Sequence, residues 1–263
     1  MAKKRNKSSV NLYSIFLSCV AVLIILTVVF YYFRQNKNSK IYKKAEFNHL
    51  NSFEVHGIDV SKHNGEIFWE DISKHTINDW ELKFVFVRAT YALADGSLKE
   101  DKCFDKNWRQ ASNCSLIRGA YHFYSPAVSI NKQIEMFKNA VELTKGDLPP
   151  VIDVENFERG NIYISKNDIP KIELWLKQIE LHYGVKPIIY TSKKMYLDYF
   201  KNDKFKKYYF WIANYGEKIS DLEKHEWLFW QHSEEGKINN HVCNFDLNVF
   251  NGSEKDLDNI CIH

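Results

Sequence analysis

Cysteine is scarce, five in 263 residues, and the four outside the N-terminal apolar run are Cys103, Cys114, Cys243 and Cys261. None falls in the close pairs that structural zinc sites use, which argues against a zinc-knuckle type of domain. Two states of these thiols stay open. They are buried and free, or they form one or two disulfides, with Cys103–Cys114 flanking a short helix and Cys243–Cys261 tying down the tail if neighbours pair. Acidic residues are missing from the first 44 positions, and no internal repeat or low-complexity tract breaks the later chain. The basic flanks of the apolar run hold nine of the 36 Lys and Arg and none of the 33 Asp and Glu, so residues 45–263 carry 27 − 33 = −6 in a chain of net charge +3. A nucleic-acid binder needs a basic face on its folded part; the basic residues here collect beside an apolar run instead, where anionic lipid attracts them. No nucleic-acid partner is expected.

That run, 13–33, reads YSIFLSCVAVLIILTVVFYYF without a charge, and about 20 such residues span a bilayer core. A cleaved signal peptide has a shorter apolar stretch, about 7–15 residues, followed by small residues; this one is longer and ends in aromatics. The reading is one transmembrane helix over 13–33, after a basic cytoplasmic tail at 1–12 and before a polar linker at 34–53 that tethers a domain at 54–263. Both flanks are basic, so charge alone leaves the topology open.

From Val55 a regular rhythm begins. Apolar, β-branched and aromatic runs at 55–61, 84–90, 119–124, 150–155, 187–192, 209–215, 228–233 and 245–250 predict eight strands. Amphipathic helices lie between several. Ser129 caps one carrying Ile130, Ile134, Phe137 and Val141 on a face, closed by Gly146; Ile169, Ile172, Leu176 and Ile179 stripe another that stops before Gly184. Strands alternating with helices imply a parallel sheet. The connections shorten toward the C-terminus, so the expected fold is an α/β barrel whose last strands have lost their helices.

Barrel enzymes work at the C-terminal ends of their strands. There PPVIDVEN presents Asp153 and Glu155 two apart on an apolar strand, a spacing that puts both on one side, with Cα atoms roughly 6.6 Å apart. Two carboxylates so close resist joint ionisation, which separates them into an acid and a base or stabiliser, as in glycosidases. Asp59 in HGIDVSKHNG and Asp246 in FDLNVFNG end other strands. One such Asp alone is a turn or cap; four converging on one mouth are a site. A metal is the rival use, with His63 or His122 as further ligands, but no His sits in a ligand spacing. No metal and no cofactor is called for. Tyr91, Tyr124, Tyr190, Trp211, Tyr215 and Trp230 at strand ends offer faces for sugar rings, with about half expected to be core instead.

Together these pieces resemble the family 25 glycoside hydrolases, lysozymes that cut the β-1,4 bond between N-acetylmuramic acid and N-acetylglucosamine. The resemblance runs from about Val55 to Gly252 through GIDVSKHNG, RGAYHFY, PPVIDVE, PIIYTS, FWIANY, WQHS and FDLNVFNG, in that order. It implies a modified TIM-type (β/α)5β3 barrel, with Glu155 as general acid/base and Asp153 as nucleophile or as the group orienting the substrate's acetamido. It implies further that Asp59 and Asp246 tune that pair and that Tyr190, Trp211 and Gln231 line the substrate. One departure stands out. Where many members have Lys-x-Ser/Thr-Glu-Gly, this chain has Arg88, Ala89, Thr90, Tyr91 and Ala92, an aromatic in place of a carboxylate at the mouth.

The expectation is a monomeric, single-pass cell-membrane muramidase, its barrel on the non-cytoplasmic side, acting on peptidoglycan glycan strands. The rivals are a non-catalytic wall-binding scaffold on the same barrel, which retention of all four carboxylates opposes, and a metal-dependent deacetylase.

Overall fold

The computed structural model describes residues 50–74, 80–215, 219, 221–238, 241 and 243–263, with Ile25 and Thr27 as helical positions. The expected membrane helix at 13–33 otherwise lies outside the described residues, as do the tail at 1–12 and most of the linker. Among the described residues no helix is long and apolar enough to cross a membrane. The chain divides into two units, 1–52 and 53–263. Of the first, Leu50–Ser52 form a 3-10 turn.

The second unit is a barrel. Its strands are β1 (Val55–Val60), β2 (Leu82–Ala92), β3 (Leu98–Glu100), β4 (Ile117–Phe123), β5 (Val151–Asp153), β6 (Ile188–Ser192), β7 (Tyr209–Ala213), β8 (Phe229–Gly236) and β9 (Phe245–Phe250). All but β3 pair in a closed ring, β1-β9-β8-β7-β6-β5-β4-β2 and back to β1, and β3 hangs on β2 as an antiparallel hairpin strand. The eight expected strands are the eight of the ring. The ninth, LKE, was missed because three residues with a single apolar one carry no period.

The sheet is not wholly parallel, as the alternation had implied. β9 runs antiparallel to both β8 and β1. A parallel crossover takes a dozen or more residues and usually a helix; Gly236 to Phe245 has room only for a return. The helices thin out as read: α1 (Trp69–Lys74), α2 (Phe104–Asn113), α3 (Ile130–Ala140), α4 (Ile169–Tyr183), α5 (Lys193–Met195) and, after the last strand, α6 (Glu254–Ile260). Between β7 and β8 the described chain has only a 3-10 turn at Lys224–Glu226. α4 stops at Gly184 with φ 73°, a left-handed conformation glycine adopts without strain. α3 ends at Ala140, with Val141 already extended, well before Gly146.

Two layers of core hold the strands. Outside, α3 and α4 bury Ile134, Phe137, Ile172, Trp175, Leu176 and Ile179 against the sheet. Inside, Phe84, Phe86, Trp211, Phe229 and Phe250 fill the barrel, Phe86 stacked on Trp211 at 4.3 Å and edge-on to Phe229 at 5.0 Å. Each such ring buries about 150–250 Å², worth about 4–6 kcal/mol of transfer free energy before entropy is charged. Room for them comes from Gly119, where a Cβ would stand 2.5 Å from the Phe86 ring. Leu257 and Cys261 of the C-terminal segment pack into this interior cluster.

All four described cysteines are free. Cys103 and Cys114 do flank the short helix α2, but Cys114 directs its Sγ to the Trp69 carbonyl, and the buried Cys261 directs its own to Leu257.

Candidate active site

The ring brings Asp59, Asp153, Glu155 and Asp246 to one mouth, where each carboxyl feels the charge of at least one of the others. Asp153 is the last residue of β5, and Glu155 stands beyond the strand, so the pair is not seated on one regular strand as expected. Val154 still donates its N–H to the Tyr190 carbonyl, which keeps the segment aligned on β6. Asp246 does not end its strand; it is the second residue of β9. It reaches the mouth because β9 runs backwards, which sets it directly opposite Asp59 of β1.

That opposition fixes a proton. Asp246 is pushed up to about 9, first by burial and then by the charge of Asp59, with which it shares a hydrogen bond. Asp59 rises to about 6 through burial, held back by hydrogen bonds from Asn248, Gln231 and Asp246. At neutral pH Asp246 is therefore the donor and Asp59 the acceptor. Beneath Asp59 lies a fully bonded network. Gln231 Nε2 and Asn248 Nδ2 donate to Asp59 Oδ2 at 2.7 and 2.9 Å; Trp211 Nε1 donates to Asn248 Oδ1 at 2.8 Å; Tyr190 and Tyr215 hydroxyls donate to Gln231 Oε1 at 2.8 and 2.6 Å.

Glu155 is half-buried at the mouth and is raised from 4.5 to about 7, first by burial and then by Asp246. It is an acid poised near neutrality. Asp153, 6% exposed, is raised well above the usual carboxylate range by burial and by the charges of Glu155 and Asp59, with Arg88 opposing. Its Oδ1 is buried without a hydrogen-bond partner. Such an atom costs about 1–3 kcal/mol unless a group from outside completes it.

The aromatics divide. Trp211 and Tyr124 are 1% and 0% exposed and present no face to a sugar; Trp211 serves the network, and the Tyr124 hydroxyl donates to Asp168. Trp230 is buried, its Nε1 on the Asn214 carbonyl. Tyr190 and Gln231 are buried parts of the network, Tyr91 is buried too at 6% exposed, and Tyr215 is 46% exposed. His122, the rival metal ligand, is buried, with Nδ1 2.7 Å from Thr90 Oγ1 and Nε2 donating to Gln133 Oε1 at 2.8 Å; burial lowers it to about 4, so it stays neutral. His63 lies in the exposed turn after β1. Among the described residues no cluster of three His, Cys, Asp or Glu is arranged to hold a metal.

Two participants were given no role from the sequence. Asn248 stands two residues from Asp246 on the same strand face, a signal present in FDLNVF. Arg88 has its Nε on Asp101 Oδ2 at 2.8 Å and its charge beside Asp153; nothing in the local sequence points to Asp101 as its partner.

A barrel with a split set of carboxylates at its mouth is the architecture of a glycosidase. The sequence model of glycosyl hydrolases family 25 matches residues 58–241. A family 25 glycosyl hydrolase from Bacillus anthracis superposes with a TM-score of 0.69 at 33% identity, over 80% of this chain and 94% of that one. The lysozyme of Streptomyces coelicolor gives 0.68 at 26% identity, over 80% and 98%. The protein YegX of Escherichia coli (strain K12) is 36% identical over 242 residues, 92% of this chain and 84% of its own. The chain belongs to glycosyl hydrolase family 25, and it is a glycoside hydrolase of the lysozyme kind.

Proposed function

We propose that this barrel hydrolyses the β-1,4 bond between N-acetylmuramic acid and N-acetylglucosamine in peptidoglycan, with the sugar's own acetamido group taking part. The observation that carries the reading is the unequal protonation of one carboxylate cluster. Glu155, protonated up to about pH 7, gives its proton to the glycosidic oxygen as the C1–O bond breaks. The unpartnered Oδ1 of Asp153 accepts the acetamido N–H and turns the acetamido oxygen onto C1, closing an oxazoline-type ring. Glu155, now a carboxylate, takes a proton from water, which opens the ring at C1 and leaves the anomer retained. Asp59 and Asp246 share one proton beside this pair and fix the field it works in. Tyr190, Trp211 and Gln231 act through Asp59 as positioning residues, while Tyr91 and Tyr215 line the mouth.

The full chain in detergent, incubated with purified peptidoglycan, tests this. Mass spectrometry should find new reducing-end N-acetylmuramic acid, absent with Glu155→Gln, and early NMR spectra should show the β anomer. Acetate release in place of new reducing ends sinks the reading.

We further propose that residues 13–33 anchor the chain in the cell membrane as a single span, with 1–12 cytoplasmic and the barrel, a monomer from about residue 54, on the far side. The support is the uncharged 21-residue run and the location of the substrate. A coil of the length of 34–53 would reach roughly 25 Å on average, which confines cutting to wall close to the membrane.

A further inference from the structure

The sequence departure at the end of β2 has a structural counterpart that the reaction above does not use. Between Arg88 and Thr90 the register of β2 on β4 slips by one residue. A strand alternates its faces, so without the slip Thr90 would follow Phe84, Phe86 and Arg88 into the barrel; with it, Thr90 turns outward to His122 and Tyr91 shares the face of Arg88. The Arg88 guanidinium lies over the Tyr91 ring at 4.9 Å. From the turn after β1, Lys62 reaches the same ring, its Nζ 4.1 Å from the centroid and 2.6 Å from the phenol oxygen.

The charges in this corner do not balance. Asp101, 1% exposed, is its carboxylate, and it is fully engaged by Arg88 Nε, the Lys62 backbone N–H at 3.0 Å and the Cys103 backbone N–H at 3.0 Å. Among the described residues no carboxylate lies within ion-pair reach of the Lys62 ammonium, which donates to the Tyr91 phenol oxygen instead. Arg88, 9% exposed, has its Nη2 buried without a partner. His63 stands close by and is held below its usual value, through burial and then the charges of Arg88 and Lys62. Lys62 and Arg88 thus have one ion-paired carboxylate between them, Asp101, with Asp153 at the strand end beside Arg88.

We infer that Lys62 and Arg88, with Tyr91 between them, form a receptor for a carboxylate carried by the substrate beside the scissile bond. The inference rests on the muramidase reading and names its specificity. The tyrosine matters because a carboxylate at position 91 would neutralise Lys62 from within, whereas a phenol holds the ammonium in place by one hydrogen bond and a cation–π contact and leaves its charge for a ligand. Two substrate groups have this chemistry. One is the lactyl carboxylate of N-acetylmuramic acid in strands stripped of peptide; the other is a carboxylate of the stem peptide.

The full chain in detergent is assayed at low salt on three preparations of the same glycan: peptide-bearing strands, peptide-free strands with free lactyl carboxylates, and peptide-free strands with those carboxylates capped as methylamides. The native protein should favour a carboxylate-bearing strand over the capped one by about tenfold in kcat/KM, mainly through KM, and lose the preference as salt screens it. Lys62→Met and Tyr91→Glu should each bring the ratio close to one, Lys62→Arg should keep it, and Lys255→Met on exposed α6 should change nothing. A preference for the free lactyl strand identifies that group, and a preference confined to the peptide-bearing strand identifies the stem. A native ratio near one, or a ratio that survives both Lys62→Met and Tyr91→Glu, overturns the inference while leaving the muramidase reading intact. Absence of new reducing ends from every strand removes the muramidase reading itself.

Discussion

Glu155→Gln should stabilise the protein at alkaline pH while abolishing its activity. The fold raises this carboxyl from 4.5 to about 7, so the ionised form is less favourable in the folded state than in the unfolded chain. A displacement of that size corresponds to about 3 kcal/mol. Solvent at the half-open mouth screens part of it, leaving about 1–2 kcal/mol. The sign follows from proton linkage: below about pH 4.5 the group is protonated in both states and costs nothing, between 4.5 and 7 the cost grows, and above 7 it is complete. Glutamine has the same shape and no charge. Its melting temperature should match native at pH 4 and exceed it by about 2–8 °C at pH 8, taking about 2–4 °C per kcal/mol for a domain of this size. Loss of the general acid should lower kcat by at least about a hundredfold. Thermal scans of native and variant across pH 4–9 measure this directly. A constant difference at all pH values, or a variant less stable at pH 8, would refute the placement of Glu155 in a desolvated, charge-crowded mouth.

The same proton governs the reaction, so kcat/KM should fall on the alkaline side with an apparent pKa of about 7; a limb that begins only above about 9 would shift the acid role elsewhere. Asn248→Leu strips one donor from Asp59 Oδ2 and the acceptor from Trp211 Nε1, and should cost about 2–3 kcal/mol, read as a drop of about 4–12 °C in melting temperature. Gly119→Ala puts a methyl 2.5 Å from the Phe86 ring and 3.1 Å from Leu148, and should cost about 1–3 kcal/mol by overpacking with the active-site pH profile unmoved. An unchanged melting temperature would show that the barrel interior gives way more easily than its packing implies.

Much of this was legible along the chain because the signals are local. Short apolar, β-branched and aromatic runs gave the eight strands of the ring, the stripe from Ile169 to Ile179 gave α4, and an apolar strand breaking into Asp-x-Glu marked the candidate pair. Three features were not. The reversal of β9 depends on how far an eight-residue connection reaches across a closing ring, and it alone explains why Asp246, early in its strand, lies opposite Asp59. The thiols beside α2 have the spacing of a bridge, yet both are free and Cys114 turns its sulfur to the Trp69 carbonyl. The fate of the aromatics was undecidable because strand ends look alike in sequence, whether a ring points to the mouth, as Tyr215 does, or into the packed interior, as Trp211 does.

By itself the sequence determined which residue types are available, in what order and with what period, and so the barrel, the family and the four carboxylates. Only the tertiary structure decided how firmly each carboxylate holds its proton. A pKa is set by what surrounds a group in three dimensions, and the residues that set these values, Asp246 for Glu155, Asn248 and Gln231 for Asp59, Arg88 for Asp153, come from strands up to 189 positions apart.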